Sequence, residues 1–409
     1  MTAPCFLILG AGHAGTAAAS AMRAAGFAGR IVMIGDDPHL PYERPPLSKE
    51  ALRGADGAAP PIYPANFYAD RAIELKLGQG ATAIDPGAQV VTLADGERIG
   101  FDKLLIATGA RARRYPLLDA LGEAAHVLRS ADDARRLRAE LVPGRRLLVV
   151  GGGVIGLEVA ATASALGLSV EVIERAPRLL ARGAPEPLAD LLAQAHRDHD
   201  VVLHCGVELA DALRDGGKVR LTCAKGGDFT GDLVVYGIGV TLNDELAAAA
   251  GLAMDDGILV DAQGRTSHPA IYAAGDIARQ DHAFICGMVR QETWANALHQ
   301  GGLAGRAMVT GQTGAQEVPW YWTDQFGVNY QVAGRTSARH WITRRGEDGR
   351  PRLIFGLEDG VLTGAVGIDA GADMRAARRM IEQGLRPDPA VLADPSVAVR
   401  KIGHAAHMV

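Results

Sequence analysis

The chain of 409 residues has neither a long hydrophobic run nor an excess of basic residues. The strongest candidate for a membrane span, 154–172, is interrupted by Glu158 and does not give the roughly 18 uninterrupted apolar residues that such a helix needs. No basic segment precedes the first apolar stretch, so we expect a strand there and not a signal peptide. The net charge of -5 argues against nucleic acid as the main partner. We expect a cytoplasmic protein that binds neither membrane nor nucleic acid.

Close pairs of cysteine are also absent. The four cysteines are far apart in the sequence: Cys5, Cys205, Cys223 and Cys286. We expect them to be small buried residues in or beside strands and not a disulfide framework. A histidine-rich segment, 196–205, matches no common zinc-binding spacing, so no metal site is expected. No Ser-His-Asp or Cys-His arrangement indicates a hydrolase.

Glycine, by contrast, is abundant, and three glycines follow the apolar strand predicted over 6–9. They have the G-x-G-x-x-G spacing of a turn that binds a dinucleotide pyrophosphate: Gly10, Gly12 and Gly15. The first permits the tight turn, and the second lets the backbone approach the phosphates. The third lets the next helix, predicted over 16–25, pack closely on the strand. We expect the pyrophosphate at the positive N-terminal end of that helix.

An acidic residue supports this interpretation, and the whole pattern occurs twice. A strand predicted over 30–34 is followed by Asp36, about 20 residues past the last glycine, where a carboxylate can meet ribose hydroxyls. The second copy has its glycines after another apolar strand, at Gly151, Gly153 and Gly156, and Glu174 closes a strand predicted over 169–173. Two complete units imply two bound dinucleotides.

The rest of the chain contributes a third region and several short segments. A chain of 409 residues is expected to form two or three domains. Beyond residue 319 we predict strands at 330–332, 352–357 and 361–368, then a helix over 372–383 that Gly384 ends. We also predict a strand over 232–239 and another that ends in Gly275-Asp276.

The order of these segments resembles the FAD-dependent pyridine-nucleotide oxidoreductases of glutathione-reductase-type fold. The matching segments are the two glycine motifs, E-R-P-P-L-S-K at 43–49, A-T-G at 107–109, A-A-G-D at 273–276 and V-P-W-Y-W-T-D-Q at 318–325. Within that group the chain is similar to the ferredoxin reductases that serve Rieske-type aromatic-ring dioxygenases and bacterial cytochrome P450 systems. The implied fold is α/β, with two Rossmann-like dinucleotide-binding domains and a C-terminal α+β domain.

The resemblance also implies domain boundaries and a function. The FAD-binding domain would take 1–109 and 240–318, the NAD(P)H-binding domain 110–239 and the C-terminal domain 319–409. FAD would accept a hydride from NADH and pass single electrons to a [2Fe–2S] ferredoxin that feeds a terminal oxygenase. Rubredoxin reductase, an NADH oxidase or peroxidase, and a non-catalytic flavoprotein of the apoptosis-inducing-factor kind remain alternatives. The absence of a cysteine beside the flavin argues against the oxidase and peroxidase. Monomer and homodimer both remain open.

The resemblance assigns roles to particular residues. Lys49 would lie near flavin N5 and pair with Glu158, while Glu292 would lie near the nicotinamide carboxamide. The expected FAD contacts are Gly10, Gly12, Gly15, Asp36, Arg44, Pro46, Lys49, Ala81, Thr108, Gly109, Arg129, Asp276 and Trp294. The expected NAD contacts are Gly151, Gly153, Val154, Ile155, Gly156, Glu174, Arg175, Arg182, Gly237, Ile238 and Gly239. Because a carboxylate repels a 2′-phosphate, Glu174 favours NADH, while Arg175, Arg178 and Arg182 leave some NADPH use open.

Overall fold

The computed structural model describes residues 3–55 and 57–405. The strands in chain order are β1 (Cys5–Leu9), β2 (Arg30–Gly35), β3 (Ile73–Leu77), β4 (Ala81–Asp85), β5 (Val90–Leu93), β6 (Arg98–Gly100), β7 (Lys103–Ile106), β8 (Ala110–Ala112), β9 (Ala125–His126), β10 (Arg146–Val150), β11 (Ser169–Glu174), β12 (Val202–Cys205), β13 (Leu209–Asp215), β14 (Lys218–Cys223), β15 (Asp228–Gly231), β16 (Leu233–Tyr236), β17 (Val240–Leu242), β18 (Ile258–Val260), β19 (Ile271–Ala273), β20 (Ala278–Asp281), β21 (Met288–Arg290), β22 (Trp320–Gln325), β23 (Val328–Gly334), β24 (His340–Arg345), β25 (Pro351–Glu358) and β26 (Val361–Ile368).

The α-helices are α1 (His13–Ala24), α2 (Glu50–Arg53), α3 (Asn66–Asp70), α4 (Pro116–Asp119), α5 (Ala131–Glu140), α6 (Val154–Ala165), α7 (Glu186–Asp198), α8 (Glu245–Ala249), α9 (Trp294–Thr310), α10 (Gly371–Glu382), α11 (Pro389–Ala393) and α12 (Val399–Ala405). Short 3-10 turns occupy Pro45–Ser48, Gly122–Ala124 and Gly275–Ile277. None of the helices in the described part of the chain is long and apolar enough to cross a membrane.

The first compact unit comprises the described residues up to 43 together with 60–111 and 241–317. Its centre is a parallel sheet of five strands in the order β19-β7-β1-β2-β3. Because β1 is covered on both faces, its residues from Phe6 to Leu9 are all apolar and buried. Helices α1 and α9 pack closely through glycines, since a Cβ at Gly301 would lie 2.2 Å from the carbonyl oxygen of Ala14.

The second compact unit comprises 44–59, 112–240 and the described residues from 318 onward. It contains a second parallel sheet, β12-β11-β10-β16-β9, and an antiparallel sheet near the C-terminus, β22-β23-β26-β25-β24. Helix α6 is apolar on nearly every side and buried, as expected of a helix enclosed by other elements. It packs against β22, which lies in the C-terminal sheet.

The predicted α/β fold class is confirmed, while several element bounds differ from the predictions. Helix α1 begins at His13, directly after Gly12, and not at residue 16, because the extended backbone of Gly12 already serves as its N-cap. Strand β16 ends at Tyr236, so Gly237 to Gly239 form a loop after it. Helix α10 ends as predicted, with Gly384 in the left-handed region at φ +60°.

The segment 44–59 also groups differently from the predicted domain division. That division assigns it to the first part of the FAD-binding domain, whereas in the structure it packs as part of the second unit. The C-terminal sheet belongs to the same unit. Because of this grouping, Lys49 and Glu158 lie within one unit. The four-part domain division itself stays a prediction.

Candidate active site

The first glycine turn, residues 10–15, connects β1 to α1. Gly10 has φ +114°, and a Cβ there would lie 2.1 Å from the carbonyl oxygen of Ala107. A Cβ at Gly15 would lie 2.0 Å from the carbonyl oxygen of Gly10. A Cβ at Gly12 would instead meet no atom of the described residues within 4 Å. The turn therefore leaves open space above its second glycine, at the N-terminus of a 12-residue helix, which suits an anionic phosphate.

The second glycine turn, residues 151–156, connects β10 to α6 with nearly the same geometry. Gly151 has φ +109°, and a Cβ there would lie 2.4 Å from the carbonyl oxygen of Gly237. A Cβ at Gly156 would lie 2.1 Å from the carbonyl oxygen of Gly151. Gly153 is again open: in the described part of the chain, no atom lies within 4 Å of its Cβ position. Both turns therefore fit a dinucleotide pyrophosphate by the same criterion.

The two acidic residues behave differently. In the second unit both carboxylate oxygens of Glu174 accept backbone N–H groups, one from Gly152 and one from Ala176, each at 2.6 Å. Glu174 is thus fixed beside the second glycine turn. In the first unit Asp36 follows β2 and is exposed, and within the described residues its carboxylate has no hydrogen bond.

A buried ion pair lies two residues past the second glycine turn. Glu158, in the second turn of α6, is 3% exposed, and Lys49, after the Pro45–Ser48 turn, is 5% exposed. The Lys49 Nζ donates to Glu158 Oε1 at 3.2 Å, and Asp324 Oδ2 lies 3.6 Å from the same ammonium. The predicted pairing of Lys49 with Glu158 is therefore present in the geometry.

Two hydroxyl groups complete the surroundings of Glu158. The Ser48 hydroxyl donates to Oε2, and the Thr323 hydroxyl donates to Oε1 at 2.7 Å. Burial raises the pKa of the Glu158 carboxyl, while the charge of Lys49 and these hydrogen bonds oppose that rise. A buried carboxylate needs such partners, because an uncompensated charge in the interior is costly.

The Thr323 hydroxyl belongs to a longer chain of hydrogen bonds. Gln325 Nε2 donates to Thr323 Oγ1 at 3.0 Å, and Gln325 Oε1 lies 2.8 Å from His196 Nε2 on α7. All three side chains are at most 1% exposed. Burial lowers the pKa of His196 to about 4, so its imidazole is neutral at neutral pH.

The other face of β22 carries aromatic residues. Trp320 and Trp322 stack with ring centroids 5.7 Å apart, and the guanidinium of Arg378 lies 4.9 Å from the Trp320 ring. Lys49 Nζ lies 6.0 Å from the Trp322 ring. Because successive strand residues face opposite sides, β22 offers hydroxyl and amide groups on one face and indoles on the other.

In the first unit a buried histidine follows the first glycine turn. His13 Nε2 lies 2.8 Å from Glu43 Oε2, which also accepts the indole N–H of Trp294 at 2.7 Å. Glu43 is half-buried, which raises its pKa, but the bonds from His13 and Trp294 outweigh this and leave the pKa below its usual value. Trp294 opens α9, so this cluster fixes the start of that helix.

The remaining predicted FAD contacts are distributed over both units. Thr108 and Asn243 exchange two hydrogen bonds, with Thr108 Oγ1 donating at 2.8 Å and Asn243 Nδ2 donating at 2.9 Å. Gly109 follows with φ +63°. Arg44 caps the Pro45–Ser48 turn that contains Pro46, and Arg129 donates its backbone N–H to Asp133. Ala81 opens β4.

Asp276 precedes a strand, and Glu292 forms an ion pair with a neighbouring arginine. Asp276 lies in a 3-10 turn that leads directly into β20, so a strand and not an α-helix follows it. The residues after it pair with β18 and β21 as a strand, which a Gly-Asp signal alone does not reveal. Glu292 is exposed, and its carboxylate is bound by Arg290 at 2.6 Å.

The predicted NAD contacts lie in the second unit. Val154 and Ile155 open α6, and Ile155 is 43% exposed. The Arg182 guanidinium lies 3.3 Å from the Cβ position of Gly239, in the loop that contains Ile238. Arg175 is exposed, whereas Arg178 donates to a set of main-chain carbonyls: Leu179, Leu180, Ala181 and Ala184.

The structure adds residues that the sequence did not single out. Ser48, Thr323, Gln325 and His196 all join the Glu158 network. An available signal for Thr323 and Gln325 was their alternation in β22, where they occupy the buried positions. No comparable signal identified His196. Among the described residues, no group of three or more acidic, histidine or cysteine side chains could hold a metal ion.

Comparison with known proteins identifies the family. Residues 5–301 match the family model described as pyridine nucleotide-disulphide oxidoreductase, and residues 320–403 match the one described as reductase C-terminal. The chain belongs to the pyridine nucleotide-disulphide oxidoreductase family. Membership of this family implies a flavin and a nicotinamide nucleotide.

Three relatives are similar over nearly the whole chain. The anthranilate 1,2-dioxygenase system ferredoxin–NAD(+) reductase component of Burkholderia cepacia is 43% identical, covering 98% of this chain and 99% of its own. The 3-phenylpropionate/cinnamic acid dioxygenase ferredoxin–NAD(+) reductase component of Photorhabdus laumondii is 42% identical, covering 92% and 95%. A crystal structure of a covalent putidaredoxin reductase–putidaredoxin complex superimposes with a TM-score of 0.94 at 32% identity, covering 100% of both chains.

The name of the family refers to a disulphide, but the cysteines of this oxidoreductase are not paired in the described structure. The four cysteines are all free thiols, but the prediction that they are buried is wrong: Cys205 and Cys286 are exposed, and Cys5 and Cys223 are only partly buried. Desolvation raises the pKa of Cys5, Cys205 and Cys223, which lowers the fraction of reactive thiolate at neutral pH. Within the described residues, none of the four is joined to another in a disulfide.

Proposed function

We propose that the chain is an NADH:ferredoxin reductase with FAD as its flavin, the electron-entry component of a multi-component oxygenase. The observation that carries the proposal is the similarity, at 42% and 43% identity over at least 92% of the chain, to two ferredoxin–NAD(+) reductase components of dioxygenase systems. The names of these two relatives and the similarity to a reductase in complex with putidaredoxin support a ferredoxin as the partner, which we infer to be of the [2Fe–2S] type.

The first glycine turn would hold FAD and the second NADH. At Gly12 and Gly153 the open space admits phosphate oxygens to the backbone N–H groups of α1 and α6. Asp36 and Glu174 would accept ribose hydroxyls at the ends of β2 and β11. FAD, once bound, would supply the conversion of a two-electron hydride into single electrons.

The buried ion pair would supply charge to the reaction. The Lys49 ammonium lies in a site of low dielectric, where its charge acts more strongly on a neighbouring group than it would in water. Glu158 holds that ammonium in place, and the indole face of Trp322 lies beside it. We infer that Lys49 offsets the negative charge that builds up next to it when the flavin is reduced.

We infer that NADH is preferred over NADPH. Glu174 is held by two backbone N–H groups beside the second glycine turn, where a 2′-phosphate would meet its negative charge. Arg178 is already engaged by main-chain carbonyls, so it is a poor candidate to offset that repulsion. Arg175 and Arg182 remain exposed cations that allow some NADPH use.

An anaerobic stopped-flow experiment tests the proposal. The purified protein is mixed with NADH, and the reduced protein is then mixed with a panel of [2Fe–2S] ferredoxins, with rubredoxin, or with oxygen. Fast bleaching of the flavin followed by reduction of a [2Fe–2S] protein supports a ferredoxin reductase. Transfer to rubredoxin alone would indicate a rubredoxin reductase, and rapid reoxidation by oxygen without transfer to any carrier would indicate an oxidase.

A further inference from the structure

The hydrogen-bond chain behind Glu158 has a defined direction. Thr323 has one hydroxyl hydrogen, and its oxygen already accepts Gln325 Nε2 at 3.0 Å. The hydroxyl hydrogen is therefore free to point at Glu158 Oε1, 2.7 Å away. This arrangement leaves Gln325 Oε1 facing His196 Nε2 at 2.8 Å, so that Nε2 must carry the hydrogen.

The alternative is a hydrogen-bond chain in which donors and acceptors are reversed between His196 and Glu158. If the Gln325 amide were flipped, its NH2 group would face His196, which would then carry its hydrogen on Nδ1. Thr323 would have to donate to Gln325, and Glu158 would keep a hydrogen bond to Thr323 only by taking up a proton. The tautomer of His196 and the charge of Glu158 are thus linked through two intervening side chains.

The surroundings of His196 favour the first direction. Its Nδ1 is buried and has no hydrogen-bond partner among the described residues. The edge of the imidazole faces Phe326, with the ring centroids 4.9 Å apart. An orphaned N–H donor is costly to bury, and orphaned donors are rarer in proteins than under-satisfied acceptors. The hydrogen therefore belongs on Nε2, where Gln325 accepts it.

We propose that His196 and Gln325 are positioning residues that hold the Thr323 hydroxyl as a donor to Glu158 and so keep the Glu158 carboxylate ionised beside Lys49. Among the described hydrogen bonds, neither residue bonds to Glu158 or Lys49, so their link to Glu158 runs through Thr323. The effect on a bound flavin rests on the proposed function, whereas the effect on Glu158 does not.

The first test is the tautomer of His196 in the wild-type holoenzyme. Long-range 1H–15N correlation spectra, with the His196 signals assigned by their loss in His196→Gln, report which ring nitrogen carries the hydrogen. We expect a neutral ring protonated on Nε2 at neutral pH. A ring protonated on Nδ1, or an imidazolium, overturns the proposal.

The second test is the protonation of Glu158 in variants that leave its direct contacts unchanged. The infrared carboxylic-acid band that disappears in Glu158→Gln reports the protonated fraction. We expect this fraction to rise by about tenfold in His196→Phe and in Gln325→Leu, because each weakens a hydrogen bond to a charged group. His196→Gln keeps a donor toward Gln325 and should restore the wild-type spectrum.

His199→Gln is the matched control. His199 lies near the same end of α7 and stacks on Phe326 at 3.9 Å, but it is exposed and outside the hydrogen-bond chain. The proposal is overturned if the carboxylic-acid band of Glu158 is missing from both His196→Phe and Gln325→Leu. It is also overturned if His199→Gln shows a band of equal intensity. If His196→Phe does not fold, the infrared spectrum of Gln325→Leu and the His196 tautomer in the wild type still test the proposal.

The flavin midpoint potential separates this proposal from the proposed function. A higher midpoint potential in His196→Phe that His196→Gln restores supports both, because protonation of Glu158 removes a negative charge beside Lys49 and so favours the reduced flavin. A new carboxylic-acid band with no change in potential supports the positioning role and overturns instead the placement of Lys49 beside the flavin.

Discussion

The two glycine turns have almost the same backbone but different surroundings. At each, the first glycine has a positive φ, of +114° or +109°, and the second is open. The helices that begin at these turns differ in sequence. Five residues after the second glycine, α6 has the buried Glu158, whereas α1 has Ala17. The repeated motif therefore specifies a binding turn, while the reactive charges depend on residues further along each helix.

The acidic residues after each turn show a second difference. Glu174 is tied to the backbone of its own glycine turn, whereas Asp36 is exposed with no such tie among the described residues. A carboxylate already held in place loses little conformational freedom when it meets a ligand. The second turn is therefore the more preorganised of the two for recognition of a ribose.

The largest expected effect comes from valine at the open glycines. Gly12→Val and Gly153→Val both have extended backbone that a branched residue can adopt, and neither side chain would start within 4 Å of protein atoms. We expect both variants to fold. In Gly12→Val the flavin content should fall to about a tenth of the wild-type value or less, since the side chain occupies the phosphate space.

Gly153→Val should show the opposite behaviour. It should keep its flavin but raise the Kd for NADH by about 100-fold, measured by titration of the oxidised protein with NAD(H) analogues. Full flavin content in Gly12→Val, or loss of flavin in Gly153→Val, would mean that the two turns have been assigned to the wrong nucleotides.

The next largest effect tests the buried charge that only the second helix carries. Glu158→Gln removes a carboxylate from Lys49, so the free energy of unfolding should fall by about 3 kcal/mol in urea titrations. Ala17→Ser, at the corresponding position of α1, should change it by no more than about 0.5 kcal/mol. Equal effects of the two substitutions would contradict the contrast between the helices.

A double variant sharpens this result. Replacing the whole pair, as in Lys49→Met with Glu158→Leu, leaves no unpaired charge and should recover most of the lost stability. Its flavin should nevertheless be reduced by NADH more slowly than in the wild type, since the positive charge is gone. If the double variant is as unstable as Glu158→Gln, the loss of stability comes from altered packing and not from an unpaired charge.

The pH dependence of stability follows from His196 in the same network. Its pKa of about 4 is below the ordinary value of about 6.5, so the unfolded chain binds more protons as the pH falls. This residue's contribution is present above about pH 6.5 and is lost as the pH falls toward 4. Between about pH 7 and about pH 5 the loss should reach about 2 kcal/mol.

His196→Gln should remove that part of the pH dependence. Urea titrations of the wild type and the variant at several pH values give the difference directly, because other titrating groups affect both proteins equally. A difference that stays constant with pH would mean that the imidazole is not buried in its neutral form.

The sequence predicted much of this structure because the relevant signals are local. In each of the two βαβ units, the first strand, the glycine with positive φ after it, Gly10 or Gly151, and the later acidic residue all lie close together in the sequence. The pairing of Lys49 with Glu158 came only through family resemblance, since 109 residues separate the two. The link from Thr323 to His196 could not be predicted, because only the folded second unit brings β22 to α7.

The smallest expected effect concerns the two acidic residues themselves. Glu174→Ala should reduce the preference for NADH over NADPH by about tenfold, because it removes the charge that repels a 2′-phosphate. Asp36→Ala, at the corresponding place in the first unit, should leave that ratio unchanged and only weaken flavin retention. The ratio of kcat/KM for the two nucleotides, measured with ferricyanide as acceptor, checks both variants.

Since Glu174 also accepts two backbone N–H groups, Glu174→Gln is the better control: it keeps one acceptor oxygen and loses the charge. If Glu174→Gln retained the full NADH preference while Glu174→Ala lost it, the turn's geometry and not the carboxylate charge would set the choice of nucleotide.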